Sequence, residues 1–193
     1  MILTFAAAAF LLAWVLGGNP KRLADLDFQR LPFLLASFVL RDGAEELLDR
    51  EPPQIWVSML LALACYGLLF YGLKANAKLP GMRAVGLGSA MNLVVVLLNQ
   101  GRMPVSVSPL SADEQVLEVA RLYTSVNHRL IGQETRFTFL ADLFKWSFLQ
   151  HRPTMFSVGD VLITAGVAYL IFRGSLDGFR PFRNDGRMGT SKS

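Results

Sequence analysis

His128, Glu134, Asp142 and His151 all fall in one long connection, and two imidazoles with two carboxylates are the groups best suited to move protons or hold a cation. Their separations of 6, 8 and 9 residues match no local metal-ligand pattern and leave no pair at i, i+4. Tertiary structure alone would have to assemble them, so they stand as weak catalytic candidates, and no metal or cofactor is expected. A second polar set lies close to apolar stretches: Asn92, Asn99, Arg102, Ser157 and Asp160. A carboxylate one turn inside an apolar helix is costly unless paired or capping backbone donors, and a guanidinium can meet it with two parallel hydrogen bonds. An Arg102–Asp160 clasp is one expectation. The simpler one has Ser157 capping the helix, Asp160 at its positive end and Arg102 on lipid phosphate. Asn92 reads as an interhelical hydrogen-bond donor and Cys65 as a small core residue. No Gly-x-Ser-x-Gly elbow occurs. Gly86-Leu-Gly88 has Met91 where a dinucleotide fingerprint needs its third small residue; Ala84 and Gly88, four apart, suit close helix packing instead.

The elements that must carry these residues follow from how charge is distributed. Of 193 residues 52% are hydrophobic and only 18% charged, and the charges are gathered between apolar blocks. That segregation argues against a water-soluble domain and against disorder. A single Cys excludes an intrachain disulfide. Uncharged or nearly uncharged runs predict transmembrane helices near 2–17, 55–73, 84–98 and 156–172, and a further one near 28–44, whose apolar part, Leu31 to Leu40, spans about 15 Å and needs Arg30 and Arg41 to snorkel. No Lys or Arg precedes Ile2, so the first run reads as a retained helix.

With five spans, the connections 18–30 and 74–83 and the carboxyl-terminal segment from Arg173 hold eleven Lys/Arg in 44 residues, against eight in the 70 residues of 41–54 and 100–155. The positive-inside rule then puts the amino terminus outside and the carboxyl terminus in the cytoplasm. If the second run only dips into the interface, that bias weakens. The expected fold is an all-α integral membrane protein: a membrane domain over 1–173, with about five transmembrane helices and an amphipathic helical outer cap over 100–155. A flexible basic tail over 174–193 follows. In the cap, Ser111-Ala-Asp-Glu114 has capping-box spacing, and Val116, Val119, Ala120, Tyr123 and Val126 fall near one helical face. The aromatic stretch Phe137 to Leu149 is expected to lie against the outer leaflet. The pI near 9.5 is explained by topology, so nucleic acid is not an expected partner. The lipid bilayer is, and other membrane subunits are the next candidates.

Gly101-Arg-Met-Pro-Val-Ser106 and Phe156-Ser-Val-Gly-Asp160 give the chain a resemblance to a bacterial multi-pass membrane family, domain of unknown function 5317. Asn99-Gln-Gly-Arg-Met-Pro104, His128 and Thr135 to Asp142 with its Leu140-Ala-Asp142 extend it, and it runs from the first span to about Gly174. The short second span and the acidic insertion Asp42 to Glu51 depart from that pattern. The resemblance implies a plasma-membrane protein and carries no activity, cofactor or catalytic residue with it. Three functions are therefore expected in order: a scaffold or accessory subunit of a membrane complex, a membrane-embedded enzyme acting on lipid or envelope material at the outer face, and a small transporter or channel with Asn92 and Asp160 on its path.

Overall fold

The computed structural model describes residues 1–19, 21–48, 52–148 and 153–177. The chain is mainly helical: α1 (Ile2–Val15), the single turn α2 (Lys21–Ala24), α3 (Leu31–Leu48), α4 (Ile55–Ala75), α5 (Met82–Leu98), α6 (Ala112–Thr124) and α7 (Val158–Asp177). Two of them, α4 and α7, are long and apolar enough to cross a membrane, whereas α1 and α5 are apolar but shorter. At 1.5 Å per residue, α3 reaches about 27 Å, much more than its ten apolar residues alone. The charged stretch after Leu40 does not end the helix, because Ala44, Glu45, Glu46, Leu47 and Leu48 are all good helix formers. Likewise α7 continues past Phe172 to Asp177, so Gly174 and Ser175, expected in the tail, are helical and buried. Residues 178–193 lie outside the described residues.

Five helices stand side by side in the lateral order α1, α7, α5, α4, α3. Their directions alternate along the chain, so that α1 and α7, neighbours in space, run parallel. The starts of α1, α4 and α7 and the ends of α3 and α5 meet the 100–148 segment, while the opposite ends meet one another. There Asn19 N–H donates to Ser175 O at 2.8 Å and Gln29 N–H to Asn76 Oδ1 at 2.9 Å. Leu26, Leu73, Leu79, Met82, Val85 and Leu170 form the core at that end. Ala62, Tyr66, Val95, Val96 and Met103 form another toward the cap. Large apolar side chains such as Leu3, Val15, Leu35, Phe38, Leu60 and Leu63 point away from both cores and are exposed.

The cap is not purely helical. Strand β1 (Met103–Val105) pairs in parallel with β2 (His128–Leu130), and β3 (Phe144–Trp146) pairs antiparallel with β4 (Thr154–Phe156). Three-residue strands carry too little alternation to announce themselves in a sequence. The capping box does form, with Ser111 N–H donating to Glu114 Oε2 at 2.7 Å. The apolar face of α6 is turned largely to the outside. Val116, Val119, Ala120 and Tyr123 are exposed, Leu122 is buried, and Val126 is buried only beyond the helix end. In the aromatic stretch, Trp146 packs on Phe5 at the start of α1 with centroids 5.5 Å apart, whereas Phe139 and Phe148 remain exposed.

Candidate functional site

Polar side chains concentrate where the cap meets the helix ends, and the α5–α7 crossing brings three of them together. Gly88 and Gly159 face each other with no room for a Cβ on either, so the two helices approach closely. That closeness lets Asn92 Nδ2 donate to Asp160 Oδ1 at 2.9 Å across the crossing. Ser157 Oγ lies 3.0 Å from both Asn92 Oδ1 and Asp160 Oδ2. Ser157 N–H donates to Asp160 Oδ2, and Asp160 N–H returns a bond to Ser157 Oγ. This satisfies orphan donors at the start of α7 and leaves the carboxylate with a full set of partners. Arg102 is not among them. The expected Arg102–Asp160 ion pair is not made; Asn92 Nδ2 is the donor that meets the carboxylate. Arg102 Nε is instead buried without a partner, and burial together with the nearby Arg129 charge makes its guanidinium less basic than usual.

Asn99 ends α5 and is almost fully buried. Its Nδ2 donates to Val95 O at 2.8 Å and Arg136 O at 2.9 Å, and its Oδ1 accepts from Arg136 N–H at 2.9 Å. Gln100 and Gly101 then turn through positive φ, and Gly101 N–H donates back to Val96 O at 2.9 Å. Gly101 sits against the backbone of Ser58 and Met59, where any side chain would collide with α4. Chain reversal and close approach thus explain the glycine of the Asn-x-Gly-Arg-Met-Pro stretch.

A well-partnered residue that the sequence did not single out is Glu45. Glu45, on the last turns of α3, accepts from Ser125 Oγ, from Asn127 N–H at 3.1 Å and from Arg121 Nη1 at 3.4 Å, with His128 Nδ1 4.0 Å away. One turn earlier, Arg41 O accepts from Asn127 Nδ2 at 2.9 Å. Burial alone would raise the Glu45 pKa; the interaction with His128 and the hydrogen bonds from Ser125 and Asn127 outweigh that and bring it down to about 2. Burial, with Arg41 and Arg121 nearby, pushes His128 below the usual imidazole range and favours the neutral ring. An acid and a base at i, i+4 just past an apolar run was the available signal, but the partners lie about 80 positions further along the chain.

Asp142 is buried where β1 ends. Its N–H donates to Pro104 O and its carbonyl accepts from Ser106 N–H, both at 2.9 Å, while Oδ1 has no partner. Burial, with the Asp160 charge nearby, raises its pKa well above the usual value for an aspartate. Glu134 is exposed in a loop and takes no part, and His151 lies outside the described residues. No group of His, Cys, Asp and Glu that could hold a metal ion occurs among the described residues. Between α3, α4, α5 and the cap, Arg41, Ala62, Cys65, Tyr66, Val96, Gly101 and Asn127 line a space of about 10 Å³ open to the centre of a water molecule, which is room for about one water.

A curated relative from Thermotoga maritima, described as an uncharacterized protein, is 27% identical over 157 residues, covering 81% of this chain and 82% of that protein. No solved structure matches. Residues 25–172 match the family of unknown function DUF5317, and the chain belongs to that family.

Proposed function

We propose that this is a five-span bacterial plasma-membrane protein, with its cap and amino terminus outside, that serves as a scaffold or accessory subunit of a membrane complex. The observation carrying this reading is how the polar groups beneath the cap are used. Glu45 fastens the cap to α3, Asn99 fastens it to α5, and Asp160 with Ser157 and Asn92 fastens α5 to α7. These bonds hold elements together instead of leaving donors and acceptors aimed at a substrate position. The alternating helix directions and their exposed apolar flanks support the crossing of all five. Lys21, Arg22, Arg30, Lys74, Lys78, Arg83 and Arg173 stand at the end away from the cap, which supports a cytoplasmic placement for it. The exposed Val116, Leu117, Val119 and Tyr123 on α6 offer a partner an apolar face.

Co-purification with a stoichiometric partner in mild detergent is the expected result, and a lone monomer at native expression level would refute the subunit assignment. Reporter tags on the two chain ends should report opposite sides of the membrane; the same side for both would refute five spans. One observation favours an enzyme as second reading: Asp142, whose pKa is raised by burial and by the nearby Asp160 charge, has an Oδ1 without a partner. A fully functional D142N/H128A variant would end that reading.

A further inference from the structure

The end of the bundle away from the cap holds a cleft of about 390 Å³, lined by Gln29, Arg30, Tyr71, Lys74 and Ala75, between the start of α3 and the end of α4. The two walls are tied to each other. Asn76, buried just past α4, accepts from Gln29 N–H at 2.9 Å and donates to Gln29 O at 2.6 Å and Gly72 O at 2.8 Å. Arg30 adopts φ 56°, a left-handed conformation that non-glycine residues seldom take, and its guanidinium carbon stands 4.0 Å over the Tyr71 ring centroid. Phe33 braces that ring edge-on, at 4.8 Å between centroids.

Stacking occupies the guanidinium face and leaves its in-plane donors available. Among the described residues no ion pair joins Arg30 or Lys74 to an acid. The acid beside the cleft, Asp27, accepts from Gln29 Nε2 at 2.6 Å. Along the same two helices, away from the charged end, Leu35, Phe38, Leu60 and Leu63 are exposed. Two free cations and an aromatic ring above an apolar stripe match the order of groups in a phospholipid, with phosphate at the water and acyl chain below.

We propose that this cleft binds the phosphodiester head group of an anionic phospholipid, with Arg30 and Lys74 on the phosphate oxygens and the acyl chains along α3 and α4. The phosphate takes paired in-plane donors from Arg30 and a point charge from Lys74. A zwitterionic lipid carries its own ammonium group, which competes for the same phosphate and weakens it as a ligand.

Lipid retention on the full chain in mild detergent, read by native mass spectrometry, tests this with phosphatidylglycerol against phosphatidylcholine. Phosphatidylglycerol is expected to be held about tenfold more tightly, and R30Q/K74Q to remove that preference. K78Q/R83Q, which removes two charges from the same end outside the cleft, should keep it within about twofold. K74Q alone leaves the Arg30–Tyr71 stack in place and should fall between, which separates lost binding from lost folding. Equal loss in both double variants, no preference in the wild type, or displacement of the lipid by millimolar inorganic phosphate would each overturn the assignment.

Discussion

Adding one methyl group at Gly159 tests the α5–α7 crossing on which the polar cluster depends. A Cβ there would stand 2.7 Å from Asn92 Cγ and 2.8 Å from Gly88 O, and nearer still to Asn92 Oδ1. Relief requires the helices to part by roughly 0.7 Å or more, since ordinary carbon contacts begin near 3.5 Å. That separation breaks the 2.9 Å bond from Asn92 to the Asp160 carboxylate. A hydrogen bond to a charged group contributes about 1.5–3 kcal/mol and overpacking costs about 1–3 kcal/mol, against about 0.5–1 kcal/mol gained by replacing a helical glycine. G159A should therefore lose about 3 kcal/mol, or roughly 6–12 °C in Tm for a chain of this size. Gly86 supplies the control, because its Cβ would meet nothing within 4 Å. G86A should be neutral or stabilising by up to about 1 kcal/mol. Thermal unfolding in one detergent, followed by circular dichroism, reads both. A G159A protein as stable as wild type, or a G86A protein equally damaged, would refute the reasoning.

E45A should loosen the cap by about 2 kcal/mol, seen as faster proteolysis within 100–148. Glu45 falls from 4.5 to about 2 on folding, so its contribution is complete above about pH 4.5 and lost as pH drops toward 2; E45Q should flatten Tm over that window. His128 also has a depressed pKa: unfolded chains take up its proton below 6.5 and the folded one resists. Stability should fall as pH drops through 6.5, and H128Q should remove that limb of the Tm curve. Asp142 works in the opposite sense. Its raised pKa makes the wild type lose stability as pH rises from 3.8, so D142N should melt higher than wild type at pH 7 and with less dependence on pH.

What could be read in advance depended on how far apart the partners lie in the chain. Ser111 and Glu114 form a box within four residues, and their spacing alone announces it. Asn92, Ser157 and Asp160 stood out as polar groups near apolar runs, and the structure brings all three together. Which partner Asp160 takes was not legible, because a guanidinium and an amide satisfy it by the same rule and only the Gly88–Gly159 approach selects Asn92. Glu45 sat in a charged stretch whose default reading is a solvated connection, and nothing near it in sequence hints at Ser125 or Asn127. What the apolar face of α6 meets was not legible for a related reason. Periodicity tells which residues share a side but not what lies opposite.

The lateral order of the helices has a bearing on biogenesis. Helix α1 rests against α7, synthesised long after it, through the α1–α7 contact and the Asn19–Ser175 bond, whereas α3, α4 and α5 neighbour one another in order of synthesis. The middle three can therefore settle as successive hairpins while α1 waits, without its protein neighbour, for about 140 further residues of translation. A nascent chain stalled before Val158 would expose α1 to lipid and to quality-control proteases, and its lifetime in the membrane would report when α7 arrives.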